Sequence, residues 1–287
     1  MKKQRVLSVI LITLLVGASV YAQALVDDWG ATDRGSGWPI LNTAETPAGD
    51  AGMGDGAPPA TWATIFGGFD EVEATAEQAV IVRGQLEYVG EGPGSHYCPI
   101  RYALTYQPDK GTLNHQYTDS AMWAGGSGHS GYQFTPVSGN ADMSNGAGGA
   151  GTVWMVNNAG GWNSTWGNNG YPFAVNPQAP RLAEIVAGVY DFGISVHLLE
   201  DGSNEIRYYL VHEDGVSYWF GGIANDTLQV TTKFNGIGFG IGDGITTAMS
   251  QFNLMGITVE TGDPIDVPAA PFEPFYVSDW GATERGS

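Results

Sequence analysis

Apolar and polar residues alternate through the second half of the chain. In "YDFGISVHLL", Tyr190, Phe192, Ile194, Val196 and Leu198 fall on one face and Asp191, Gly193, Ser195 and His197 on the other. That period of two is what a half-buried strand requires. "EDGSN" then reads as a turn and "EIRYYLVH" as the return strand, with Ile206, Tyr208 and Leu210 aligned. A second turn at Glu213–Gly215 leads into "VSYWFGG", where Val216, Tyr218 and Phe220 are in phase and Trp219 takes the opposite side. The three segments predict an antiparallel meander. "TLQVTTKF", "GIGFGIGDG" and "QFNLMGITVE" follow as strands, and "ATIFGGF", "QAVIVRGQLEYV", "IRYALTYQ", "GYQFTPVS" and "GTVWMVNN" precede them. Roughly ten to twelve strands are expected between Thr61 and Glu260. The one helical pattern, "RLAEIVAG", is too short and too β-branched to count as a helix.

In "GIGFGIGDG", Ile237, Phe239 and Ile241 form a core stripe while the intervening glycines leave the other face bare. A bare strand face admits a second backbone, a ring or a flat ligand at close range. The spacing is not that of a dinucleotide loop, and no helix pattern follows. Glycine makes up 43 of 287 residues without a triplet period, clustered in "WAGGSGHSGY", "NGAGGAGTVW" and "NAGGWNSTWGNNGY". Many short strands joined by Gly-rich loops predict an all-β fold of two packed antiparallel sheets, a β-sandwich.

The two ends differ from this middle. Residues 1–24 have a basic start (Lys2, Lys3, Arg5), an apolar run over Val6–Val16 and small residues at Ala22 and Ala24. This is the pattern of a cleavable secretory signal, shorter than a membrane span of about 20 residues. Its removal takes three cations away and leaves 8 Lys+Arg against 30 Asp+Glu, a net of −22. Such a surface repels nucleic acid and anionic membrane, and the mature chain is expected to insert in no membrane. The expected location is secreted, extracellular or at the cell surface. Residues 25–60 read as an opening strand and a Gly/Pro-rich surface loop, 61–260 as the sandwich, 261–275 as a stiff linker with four prolines, and 276–287 as the start of a second unit. The last expectation rests on a repeat: "DWGATDRGS" at Asp28–Ser36 returns as "DWGATERGS" at Asp279–Ser287, changed only where Asp33 becomes Glu284. A lone cysteine, Cys98, excludes an internal disulfide framework.

The order "YDFGISVHLL", "NEIRYYLV", "VSYWFGG", "FNGIGFGIGDG", "FNLMGITVE", with "RYALTY" and "GYQF" upstream, resembles the concanavalin A-like, or laminin-G-like, jelly-roll domains of bacterial exported proteins. The resemblance spans about Thr61 to Glu260 and implies a jelly-roll sandwich. Domains of this kind serve as carbohydrate-binding modules, as adhesion domains or as scaffolds for glycan-cleaving enzymes. Where many of them carry an acidic or amide residue before the last apolar run, this chain has Met255 and Gly256.

Aromatic rings in or beside Gly/Asn-rich stretches are the main candidates for ligand contact: Trp123, Tyr132, Trp162, Trp166, Tyr171, and Trp219 on its strand. Sugar rings stack their C–H faces on Trp and Tyr while amide and carboxylate groups take the hydroxyls. The acids Asp70, Glu71 and Glu73 offer hard oxygen ligands that suit calcium, the one cofactor considered. With Glu77 they also approximate the carboxylate ladder of glycan hydrolases, one residue out of step. No nucleophile elbow or zinc spacing is present, so no catalytic residue is assigned. The sequence therefore predicts a non-catalytic module of a larger surface protein that binds a polysaccharide or cell-surface glycan. Two further readings remain open: a structural repeat unit that binds neighbouring repeat domains, and a hydrolase or lyase on the same fold.

Overall fold

The computed structural model describes residues 24–26, 28–33, 49–54, 63–90, 100–106, 130–136, 152–156, 172–175, 185–227, 230–241 and 249–271. They form fourteen strands in two antiparallel sheets. Sheet A contains β1 (Ala24–Leu25), β14 (Met249–Gly262), β5 (Ala79–Gly90), β10 (Gly188–Leu198), β11 (Asn204–His212) and β12 (Trp219–Asp226), in that spatial order, with β3 (Ala51–Gly54) also paired to β14. Sheet B runs β2 (Asp28–Asp33), β4 (Ala63–Glu73), β13 (Lys233–Ile241), β6 (Ile100–Tyr106), β7 (Ser130–Thr135), β8 (Thr152–Val156), β9 (Pro172–Val175). The all-β, two-sheet antiparallel sandwich expected from the periodicity is present, with no helix among the described residues.

The meander β10–β11–β12 has the register that alternation implies, from Tyr190↔His212 to Leu198↔Asn204 and from Asn204↔Asp226 to Val211↔Trp219. Its turns are made by the expected residues. Gly202 and Gly215 take positive φ, Asp201 accepts from the Ser203 amide, and Asp214 accepts from the amides of Val216 and Ser217. Val216 lies in that turn and is exposed rather than in phase with Tyr218 and Phe220. The stretch "TLQVTTKF" becomes a strand only from Lys233. Three short strands escaped the pattern: β1, β9, and β3, which lies inside the stretch expected to be a surface loop.

The inward faces meet in one core, and aromatic contacts between the sheets carry much of it. Phe134 of β7 packs on Tyr208 of β11 at 5.1 Å, and Phe239 of β13 stands edge-on to Phe192 of β10 at 5.3 Å. Ile237 and Phe239 are core residues, as the glycine-alternating strand predicts, and Gly236 before them and Gly238 between them are buried too.

Two bulges adjust the sheets. In β4 the register slips between Gly68 and Val72, which lets Phe69 and Val72 both reach the core while Asp70, Glu71 and Glu73 stay outside. In β14 one extra residue sits between Met255 and Thr258; Gly256 takes φ +59° and turns Ile257 inward. Ile257 fills the space over Gly84, where a Cβ would lie 2.5 Å from its Cδ1. The same bulge ties down the start of the chain. Val26 donates to Ile257 O, Gly49 to Val26 O, and Ile257 to Gly49 O.

From Asp263 to Pro271 the chain stays on the domain. Residues 263–271, part of the stretch 261–275 expected as a stiff proline linker, lie on the outer face of sheet A as a strap. Ile265 packs on Ala79, Ile81 and Tyr209; its amide donates to the buried Ser195 Oγ and its carbonyl accepts from Arg207. The Pro268 carbonyl accepts from Trp219 Nε1 at 3.0 Å. Glycines on the outer face make room. A Cβ on Gly193 would meet the Tyr209 ring at 2.5 Å and Ile265 at 3.0 Å, and one on Gly221 would meet Val267 at 3.1 Å. Gly193→Val is therefore expected to push Tyr209 and Ile265 off the sheet and to cost about 1–3 kcal/mol, the range for overpacking. Urea unfolding of the variant against the parent checks this.

Candidate functional site

Strand register places two rows of side chains across the outer face of sheet A. One row is Met255, Gln85, Asp191, Val211 and Trp219, each paired with the next on the neighbouring strand. The other is Thr258, Arg83, Gly193, Tyr209 and Gly221. Between these rows, closed by Pro268 of the strap at one end and the Gly256 bulge at the other, lies a groove of about 400 Å³. Its width runs over four strands, from β14 to β11, about 14 Å at the usual strand spacing.

The groove pairs an aromatic surface with fixed polar groups. Tyr209 is half-buried, seated on bare Gly193 and wedged by Ile265. Its hydroxyl is held above the ordinary tyrosine pKa, chiefly by burial and then by the Asp191 charge, with Arg83 opposing. Gln85 Nε2 donates to Asp191 Oδ1 at 2.8 Å, which orients both planar groups. That bond uses one amide hydrogen and one carboxylate oxygen, so Gln85 keeps a donor and its carbonyl, and Asp191 keeps an acceptor. Arg83 pairs with Glu260, and Thr258 Oγ1 donates to the Arg83 carbonyl. The result is an aromatic edge ringed by alternating donors and acceptors, able to receive a small hydroxyl-rich ligand.

The residues expected from sequence are not those that line this groove. Tyr132 is a correction: its ring is wholly buried in the core and is not offered to a ligand. Its hydroxyl donates to Asp226 Oδ2 at 3.0 Å and accepts from Asn204 Nδ2 at 2.7 Å and from the Thr231 amide. Trp219 faces outward as alternation requires, but the strap covers it to 3% exposure, so it offers no free ring. Trp123, Trp162, Trp166 and Tyr171 lie outside the described residues. The strands on either side of them are described. Tyr106 pairs with Ser130, Gly131 with Val156, and Trp154 with Pro172, so these strand ends lie at one end of sheet B.

The acidic set is also dispersed. Glu71 is in an ion pair with Lys233 at 2.7 Å, which holds its carboxyl below the usual range, and Glu73 accepts from Thr232. Asp70, Glu71 and Glu73 are all exposed, and no group of three His, Cys, Asp or Glu among the described residues is placed to hold a metal ion. Glu77 is not on the strand at all. It sits in a turn where Thr75 Oγ1 accepts from the amides of Glu77 and Gln78, so the third rung of a carboxylate ladder is missing.

No family model matches this chain, and no curated protein does. Solved structures do. A basic winged bean lectin with Tn-antigen aligns with 84% of this chain and 98% of its own at 10% identity and TM-score 0.45. Lectin I from Ulex europaeus, in complex with the methyl glycoside of alpha-L-fucose, aligns over the same shares at 8% identity and TM-score 0.45. Peanut lectin aligns over 86% and 99% at 10% identity and TM-score 0.43. The likeness concerns the layout of the sandwich only.

Proposed function

We propose that this protein is an exported carbohydrate-binding module that takes a neutral glycan in the groove of sheet A. One observation carries the reading: Tyr209, braced from below by Gly193 and from the side by Ile265, stands beside the oriented Gln85–Asp191 pair in an open groove. A rigid ring supplies the stacking surface, and the amide and carboxylate supply paired contacts for adjacent hydroxyls. The strongly acidic surface favours uncharged over anionic polysaccharides. Export rests on the signal pattern of residues 1–24, with its basic start, apolar run and small residues at Ala22 and Ala24. Calorimetric titration with a panel of neutral oligosaccharides tests the proposal. Tyr209→Leu and Gln85→Ala should each weaken binding about tenfold, the scale of one lost ring contact or hydrogen bond. Binding by the parent that neither change affects would move the site elsewhere, and Trp162→Ala with Trp166→Ala would then be the next pair measured. No binding of any glycan would overturn the function.

A second reading has its own support. The first six residues of the repeat form strand β2, which supports a reading in which the copy at Asp279 opens a further unit of a structural array.

A further inference from the structure

Among the described residues the groove of sheet A is closed on three sides and opens on the fourth. Across the strands it ends at Pro268 of the strap and at the Gly256 bulge. Along the strands it is closed in one direction. There Ile265 packs on Ile81 and Tyr209 with its amide bonded to Ser195 Oγ, and Arg83 pairs with Glu260 at the remaining corner. Register sets what lies in the opposite direction. Two positions beyond Gln85 on β5 comes Glu87, paired with Asn253 on β14 and with Val189 on β10. The next outward position on β14 is Gln251, opposite Val89. Glu87, Val189, Asn253 and Gln251 all reach solvent. On β3 the partners of Asn253 and Gln251 are Gly52 and Gly54, which carry no side chain to screen them.

On this open side the chemistry of the groove is repeated. Gln251 Nε2 donates to Asn253 Oδ1, and Asn253 Nδ2 donates to Glu87 Oε2 at 2.8 Å. The second bond has the same sense as Gln85 to Asp191: an amide on one strand donates to a carboxylate on the next strand towards β10. Each pair leaves a carboxylate oxygen and an amide hydrogen for a ligand. Outward positions two apart on a strand are about 7 Å from each other, so the two pairs stand one step apart along β5. We infer that the groove receives the end of a linear neutral glycan, whose following sugars run out over Glu87, Asn253 and Gln251. The inference rests on the groove being a glycan site and adds which part of the glycan is held. Hydroxyls of the emerging chain meet Glu87 and the two amides, and Val189 offers an apolar patch for a C–H face. An interior segment needs a groove open on two sides. The strap and the Arg83–Glu260 pair leave it one, so chain ends are what this site recognises.

Calorimetric titration with linear gluco-, manno- and galacto-oligosaccharides, from disaccharide to hexasaccharide, tests this. In the series that binds, affinity should rise about tenfold between disaccharide and tetrasaccharide, the scale of one or two hydrogen bonds, and stay level beyond. Glu87→Ala/Asn253→Ala should abolish that rise while the disaccharide binds as it does to the parent. No rise with length in the parent, or an equal loss at every length in the double variant, would overturn the inference and leave the glycan site standing. Binding of no series at all would remove the site and the inference together. A second arm needs no variant. The polymer of the series that binds is cut to shorter fragments by partial acid hydrolysis and offered at constant mass. Bound protein should increase in proportion to the number of chain ends. Bound protein that follows mass alone would show that interior segments are held, against the inference.

Discussion

The protein is expected to unfold steeply just above pH 10. Tyr88, Tyr102, Tyr132, Tyr190, Tyr208 and Tyr218 are all fully buried, and burial is the first cause of a raised pKa at every one of them. Neighbouring phenols and the Asp226 and Asp214 carboxylates add to it at several. A tyrosine whose folded pKa is raised keeps its proton in the native state while the unfolded chain loses one. The contribution of each is thus complete below the ordinary value near 10 and declines as pH rises through it. One such group costs about 1.4 kcal/mol per pH unit beyond that point, and six together cost roughly 8 kcal/mol by pH 11. A domain with a typical stability of about 5–15 kcal/mol has little left there. The Glu71–Lys233 pair acts in the same direction, because the raised Lys233 pKa favours the folded state only below its titration. On the acid side the lowered pKa values of Asp201, Asp214 and Glu71 make stability fall as pH drops through the carboxylate range, but these groups are exposed and their effect is shallow. Tyrosinate absorbance and far-ultraviolet circular dichroism followed together against pH check the expectation. Most tyrosines should ionise in the same step as unfolding, and a gradual titration of a folded protein would refute it.

The same burial explains what the sequence made legible. Strands with inward residues at every second position, such as "YDFGISVHLL" and "EIRYYLVH", show their face directly, and the register of β10–β12 follows from two turns with Asp and Gly in the required places. The strap was hidden for the opposite reason. Its prolines and acids have the composition of a linker, and only Ile265 and Val267 dock, onto glycines whose lack of side chains has no meaning until the sheet is assembled. Trp219 shows the limit of periodicity: alternation places it on the outer face, but not beneath the strap. The groove residues Arg83, Gln85, Asp191 and Tyr209 occupy outward positions on three strands, with 209 − 83 = 126 positions between the first and the last. No local signal marks them, because their proximity is a product of pairing between β5, β10 and β11. Tyr132 looks like a ligand contact in the sequence because it lies beside a glycine-rich run. Its own strand, "SGYQFT", has the inward pair Tyr132 and Phe134 at the correct spacing.

Tyr132→Phe separates a core role for that residue from a ligand role, and its effect should be large. The hydroxyl is the centre of a buried polar node that joins the sheets: it donates to Asp226 on β12 and accepts from Asn204 on β11 and from the Thr231 amide, while Asn204 also donates to the Thr231 carbonyl. Asp226 and Asn204 are themselves fully buried, so water cannot replace the lost oxygen without opening the core. The ring itself stays, with its contact to Phe234 at 6.2 Å, so no cavity larger than one oxygen is left. Loss of a hydrogen bond to a buried carboxylate costs about 1.5–3 kcal/mol, and two further donors lose their acceptor; a total near 3–4 kcal/mol is expected. The urea midpoint should fall accordingly with an unchanged slope. Asn204→Ala in the Tyr132→Phe background should add less than it does alone, because the two share one network. Glycan affinity, measured below the unfolding transition, should be the same in Tyr132→Phe as in the parent. An affinity loss without a stability loss would put Tyr132 back among the ligand contacts and take it out of the core node.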